Sequence, residues 1–332
     1  MDRNSSSSCN GVDDVNNPKK KGIDMLLKFA LATTSLFFVT FIVYNNNSSF
    51  TNNNNTTTSN IRRQLSFQER FIDPKSTNLR TKEMLFHSSA RKCNPDELQR
   101  KDEVLVDNLE YYKSQMGEDQ KLMKWFGSLC DGSYIEMGAL DGVTFSNSYV
   151  FNKLLNWSGV LIELSIDSYE KLITNRPNEA AVINAGVCSS PQKLHYISRT
   201  GEYAAAVNGI YEFTAPSFRE RYWGDIALDD PSVKEIDCNT LDNLLLEHTP
   251  HQTYWDFFSL DVEGAEFAVL QSIDWNRVHF GIILVEADEH NELKNLVMRE
   301  YLENRGYTFL EWQGNYWFVS QYFDEIYQDL VY

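Results

Sequence analysis

The stretch that most constrains this chain is residues 134–147, Tyr-Ile-Glu-Met-Gly-Ala-Leu-Asp-Gly-Val-Thr-Phe-Ser-Asn. Tyr134 and Ile135 favour a strand, Gly138 and Gly142 let the backbone turn tightly and approach a ligand, and Ser146 or Asn147 can cap a following helix. A strand, a glycine turn and a helix start in this order make a nucleotide seat. The turn holds only two glycines with three residues between them, so the dinucleotide pattern G-x-G-x-x-G is missing and a nicotinamide cofactor is disfavoured. Glu136, two positions before the first glycine, puts a carboxylate at the strand's end. There it attracts a cationic amino group and repels a pyrophosphate, a charge logic that suits S-adenosylmethionine.

The rest of the folded part repeats the strand–helix rhythm. Residues 96–126 read as one or two helices, followed by a strand ending at Gly138 and a helix through Tyr149, Val150, Leu154 and Leu155. Strands over 159–163 and 180–187 flank a helix over 169–175. The segment 189–222 breaks the pattern, with one extra strand over 193–198 and a long insertion of uncertain form. Strands over 233–238, 257–261 and 281–286 come next, interleaved with helices over 240–248, capped by Thr240, and 265–273. A helix over 292–304 and an aromatic pair of strands, 307–312 and 316–321, close the chain as an antiparallel hairpin. Alternation of this kind builds an α/β, doubly wound parallel sheet with right-handed crossovers, whose ligand sits beyond the strand C-termini.

Four of the strands end in acid: Glu136, Glu163, Asp261 and Glu286. A carboxylate abutting an apolar strand is costly unless it is paired or faces a ligand, so the repetition outlines a site, although any one alone would pass for a helix cap or an ion-pair partner. Glu163 closes the second strand, where nucleotide-binding sheets carry the acid that grips the ribose hydroxyls. Asp261 and Glu263 lie where an acceptor would meet the cofactor, while Glu266 suits the first turn of a helix. Beyond the fifth strand, Asp288 and His290 stand in a polar loop, and His290 is a candidate general base as well as an ordinary surface histidine.

The N-terminal part has another character. Residues 1–22 are polar and end in Lys19, Lys20 and Lys21; residues 23–44 are almost wholly apolar, long enough for the ~20 residues that cross a bilayer. The lysines place the N-terminus on the cytosolic side and everything after Tyr44 in a lumen or outside the cell, a type II signal anchor of Golgi, ER or cell-surface membranes. Residues 45–95, opening with an Asn/Ser/Thr-rich run, read as a flexible stem before a domain over 96–332. Asn46, Asn47, Asn54, Asn55 and, in the folded part, Asn156 begin N-x-Ser/Thr glycosylation acceptors.

A net charge of −17 argues against nucleic acid and against anionic polymers, and favours small or neutral acceptors. Cys93, Cys130, Cys188 and Cys238 would lie in an oxidising lumen, with three full pairings open among them. No C-x-x-C pair occurs, so no metal site is expected.

The segments 134–142, Trp-Ser-Gly-Val-Leu-Ile-Glu (157–163), Asn-Ala-Gly-Val-Cys (184–188), Thr-Leu-Asp (240–242) and Phe-Ser-Leu-Asp-Val-Glu-Gly-Ala-Glu (258–266) together resemble the FkbM family of S-adenosylmethionine-dependent methyltransferases. The resemblance covers a little over half of the chain and omits the anchor and stem. It implies a seven-stranded class I methyltransferase fold, with Glu136, Gly138, Asp141 and Gly142 near the methionine part of the cofactor and Glu163 on the ribose. Asn184 and Ala185 would border the adenine, with Asp261 and Glu263 at the reaction centre. Leu164 stands where a proline is common in the family. The activity implied is O-methylation of a hydroxyl, here of a small-molecule or glycan acceptor. The alternative is an inactive protein of the same fold used for interaction or trafficking at the membrane. Oligomeric state is left open.

Overall fold

The computed structural model describes residues 87–198, 204–224, 226–287 and 291–331. The tail, the apolar run over 23–44, most of the stem and His290 lie outside the described residues. Among the described residues, no helix is long and apolar enough to cross a membrane.

Residues 87–94, assigned to the stem by sequence, are packed into the fold. β1 (Arg91–Lys92) leads into α1 (Pro95–Asp107). The helix opens on a capping box, in which the Asn94 side chain accepts from the Glu97 amide (2.9 Å) and Glu97 accepts from the Asn94 amide (2.7 Å). α2 (Glu118–Phe126) follows, then β2 (Leu129–Cys130), which pairs antiparallel with β1. The Cys93–Cys130 disulfide ties this N-terminal flap down.

Next come β3 (Ser133–Met137), α3 (Tyr149–Leu155), β4 (Ser158–Glu163), α4 (Ile166–Asn175) and β5 (Ala181–Asn184). The strand expected over 180–187 is therefore broken at Ala185. Its last part, β6 (Gly186–Val187), joins a second sheet with β7 (Gln192–Ile197), β8 (Gly209–Ile210) and β9 (Val233–Asn239), in the order β6-β9-β7-β8. The insertion thus supplies two strands of a small sheet, and a Cys188–Cys238 disulfide ties the residue after β6 to β9. These two disulfides are one of the three pairings left open.

The chain returns to the main sheet through α5 (Leu241–His248), capped by Thr240 as expected, β10 (Tyr254–Leu260), α6 (Glu266–Gln271), β11 (His279–Glu286) and α7 (Glu292–Glu303). β12 (Tyr307–Gln313) and β13 (Asn315–Ser320) form the hairpin. Its turn is tighter than expected: Gln313 and Asn315 face each other in the ladder, with Gly314 between them at φ +69°. A helix that the sequence reading omitted, α8 (Phe323–Val331), ends the chain.

The main sheet has the order β12-β13-β11-β10-β3-β4-β5. β11, β10, β3, β4 and β5 are parallel and β13 runs antiparallel to both its neighbours. Period-two alternation splits each central strand between two cores. Ile135, Val160, Ile162, Phe258 and Ile283 face α5, α6 and α7. Tyr134, Leu161, Phe257 and Ile282 face α2, α3, α4 and α8. One charge interrupts the apolar strand β10: Asp256, wholly buried, accepts from the Ser133 amide (2.7 Å), from Ser88 Oγ and from Tyr327 Oη. It fastens the flap and α8 to the start of β3.

Candidate active site

The strand order reverses between β3 and β10, and the loops leaving these strands part at their C-terminal ends. A cavity of about 260 Å³ opens there, lined from the turn after β3, the ends of β4, β10 and β11, residues 185–187, and the second sheet at Tyr196 and residues 208–210. Strand ends form the floor and the second sheet forms a wall.

Each predicted residue has a distinct place. Gly138 lines the cavity at φ +81°, and a Cβ there would lie 1.8 Å from the Asp261 carbonyl oxygen. Gly142 (φ +76°) lies behind the cavity, where a Cβ would meet Leu172 and Arg176. Asp141 turns into its own loop, accepting from the amides of Val143 (3.0 Å) and Thr144 (2.7 Å). Asn184 donates to the carbonyls of Glu163 (2.8 Å) and Leu164 (2.9 Å), so it braces the β4–α4 junction, while Ala185 lines the cavity itself.

Glu136 is buried and its carboxylate is occupied from within the protein. Oε1 accepts from the Asn147 amide (2.6 Å), and Oε2 accepts from Ser146 Oγ (2.9 Å) and from Ser148 Oγ. Ser146 and Asn147 therefore serve Glu136 rather than capping α3, whose N-cap position is Ser148. Burial raises the Glu136 pKa, opposed by Arg176 and by these donors. Behind the loop, the wholly buried Arg176 donates to Gly142 O (2.9 Å), Ser146 Oγ (3.2 Å), Ser148 Oγ (2.9 Å) and Tyr134 Oη (2.6 Å), and pairs with Glu179. Sequence reasoning missed Arg176 because it stands in a polar segment that reads as surface.

Glu163 bridges two loops: Oε2 accepts from the Leu140 amide (2.8 Å) and Oε1 from the Ser165 amide (2.6 Å). Burial raises its pKa. Each oxygen keeps a lone pair for a further donor, as a ribose diol requires. Tyr196, another residue missed, stands close by on the second sheet; its phenol is pushed up to about 12, first by burial and then by the Glu163 charge.

At the far end of the cavity Asp261, Glu263 and Glu286 converge, each offering an oxygen within 4.8 Å of the others. Glu263 holds a left-handed backbone (φ +56°), as do Leu140 (φ +47°) and Phe145 (φ +59°), which also line the cavity. Such conformations persist only where the surroundings enforce them, and they gather at functional sites. Glu266, wholly buried, keeps the Asp261–Gly264 turn closed by accepting from the amides of Val262 (3.1 Å) and Gly264 (2.9 Å), and Lys294 neutralises it. Asp261 is open to solvent as a residue, yet the protein around its carboxyl withdraws enough water to push it up to about 7, helped by the charges of Glu266 and Glu118. Burial and the Asp261 charge push Glu286 well above the usual carboxylate range, and Glu286 shares a hydrogen bond with Asp261. Two carboxyls this close disfavour double ionisation, and a pair that shares a proton suits proton transfer. The trio also has the oxygen spacing to take a hard divalent cation.

The cavity lining carries six carboxylates and no Lys, Arg or His among the described residues. Two buried side-chain oxygens in it, Asn147 Oδ1 and Glu286 Oε2, have no hydrogen-bond partner. An acid-lined cavity with orphaned acceptors and a glycine at the point of closest approach fits a cationic ligand with donor groups. It does not fit a dinucleotide.

A seven-stranded sheet of this order, with its antiparallel final strand and its cavity at the switch point, defines a methyltransferase-like α/β fold. Residues 136–309 match the methyltransferase FkbM domain, and the chain belongs to that family. It is a methyltransferase, and its cofactor is S-adenosylmethionine. Among solved structures, it is similar to methyltransferase FkbM from Methylobacillus flagellatus KT, with 13% identity and a TM-score of 0.34 over 69% of this chain and 56% of that one. It is also similar to a TehB-like SAM-dependent methyltransferase from Corynebacterium glutamicum, with 10% identity and a TM-score of 0.32 over 68% of this chain and 100% of that one. None of the curated proteins matches the chain.

Proposed function

We propose that this methyltransferase acts on oxygen, methylating a hydroxyl of a neutral acceptor such as a glycan. The observation that carries this reading is the meeting of Asp261, Glu263 and Glu286 at the cavity end away from Glu163. S-adenosylmethionine supplies an electrophilic methyl group. Asp261 takes the proton from the acceptor hydroxyl as the oxygen attacks, and Glu163 holds the ribose. Carboxylates at this density repel phosphorylated, sulfated or uronic acceptors, so the acceptor is uncharged where it meets them. Holding the hydroxyl in line with the methyl group supplies much of the acceleration.

The same proposal places the domain in the lumen of the secretory pathway or outside the cell, behind a single-pass anchor over 23–44. Two disulfides support an oxidising compartment. The exposed Asn156 opens an acceptor sequence for N-glycosylation on the domain's surface.

The test uses the full-length chain, made in an oxidising host and held in detergent. Calorimetry measures binding of the cofactor, and neutral and uronic sugars are compared as methyl acceptors. Micromolar binding that is lost in Glu163→Ala, with methyl transfer to neutral sugars alone, is the expected result. A folded chain that binds the cofactor but methylates amines and no hydroxyl would overturn the O-methyl assignment. Cofactor binding with no transfer to any acceptor would favour the interaction role.

A further inference from the structure

We propose that Asn147, rather than an acid, receives the α-ammonium group of S-adenosylmethionine. This rests on the cofactor assignment and goes beyond it by naming a residue that neither the sequence pattern nor the strand-end acids single out.

The cofactor must find an acceptor for its ammonium group at the β3–β10 end of the cavity, since Glu163, at the end of β4, serves the ribose. The acids expected there are otherwise engaged. Glu136 is only 4% exposed and accepts three donors from residues 146–148. Asp141 is turned into its own loop and does not line the cavity. Asn147 does line it, between Glu136 and Ser259. Its amide nitrogen donates to Ser259 Oγ (2.9 Å), so Oδ1 is the end turned away from Ser259. Its Oδ1 is thereby left buried with no donor.

A buried carbonyl oxygen without a donor is costly, and such an atom in a ligand cavity marks where a ligand donor goes. Among the cofactor's groups the ammonium is the strongest donor, and a charge-assisted hydrogen bond to an amide oxygen satisfies both partners. Glu136 then has a clear role. It holds the Asn147 backbone by its amide, and its negative charge lies one residue behind the incoming cation.

The inference makes the amino group and Asn147 energetically coupled. Binding to the full-length chain is measured by calorimetry with S-adenosylhomocysteine, which carries the amino group, and with its analogue bearing hydrogen in that place. In the unaltered chain the amino compound binds more tightly. Asn147→Ala lowers affinity for the amino compound by about 10–100-fold, the loss of one charge-assisted bond, and leaves the deaminated compound unchanged. Ser259→Ala, which frees the amide to turn, lowers the same ratio less and provides a second reading if Asn147→Ala does not fold. Equal losses for both compounds, or undiminished binding of S-adenosylhomocysteine by Asn147→Ala, would overturn the assignment. Failure of the unaltered chain to bind S-adenosylhomocysteine at all would instead sink the cofactor site as a whole.

Discussion

Gly138 and Asp261 lie in adjacent strand ends so close together that a Cβ built on Gly138 would stand 1.8 Å from the Asp261 carbonyl oxygen. The contact joins the glycine turn after β3 to the loop after β10, and the atom met is backbone, so no rotamer change relieves it. Gly138 also has φ +81°, which a Cβ disfavours. Gly138→Ala should therefore destabilise the fold by about 3 kcal/mol or more, from overpacking and backbone strain together. Urea titration and cofactor calorimetry check this; a variant with unchanged midpoint and affinity would refute it.

Arg176 carries the loop after β3 from behind, and its guanidinium and the Glu179 carboxylate are both wholly inaccessible. Glu179 in turn accepts from Tyr134 Oη (2.8 Å) and the Gly159 amide (2.7 Å). Removing one partner of such a pair leaves an uncompensated buried charge. Arg176→Met should lower stability by about 3–5 kcal/mol. Thermal denaturation gives the answer, and Arg176→Met paired with Glu179→Gln should recover part of the loss.

What could be read from the sequence follows from range. The strands were legible because each is a short, nearly continuous apolar run bounded by turn residues, and the acids that line the cavity because they stand at the ends of those runs. Asp256 was not legible: it sits inside the run Tyr-Trp-Asp-Phe-Phe, and its partners Ser88 and Tyr327 are 168 and 71 residues away. Arg176 was hidden in the same way, and so was the second sheet, whose strands β6 and β8 are two residues each and form only by pairing with longer neighbours. α8 is a different case. Phe323, Ile326, Tyr327 and Leu330 recur at helical spacing and pack on the core, so the signal was present and went unread.

Asp261 is one of the acids that make the site sensitive to pH. Its pKa is raised to about 7 from 3.8, so between these values the folded protein holds a proton that the unfolded chain has released. The stabilisation is complete below pH about 4, diminishes as pH rises, and is gone above about 7. Asp261→Asn should flatten the dependence of melting temperature on pH over this window and gain on the wild type at its alkaline end. If Asp261 is the base, turnover climbs as pH passes about 7 and then levels, and Asp261→Asn loses about 10²–10⁴-fold in turnover with cofactor affinity retained. Normal turnover in Asp261→Asn would remove the residue from the mechanism.

The two disulfides should separate stability from binding. Cys188 and Cys238 close a loop with a sequence separation of 50, and Cys238 faces Gly186 in the ladder between β6 and β9. Gly186 and Val187 line the cavity, so this bond anchors one of its walls. Cys93 and Cys130 close a comparable loop, with a separation of 37, yet neither lines the cavity. Loop-closure entropy assigns each bond about 4 kcal/mol. Replacing either pair with serine should therefore lower the melting temperature by similar amounts. Only the Cys188→Ser, Cys238→Ser protein should also lose affinity for S-adenosylhomocysteine when both are compared by calorimetry well below their melting temperatures. Equal affinities in the two variants would mean that pairing of β6 with β9 holds the wall without the covalent tie.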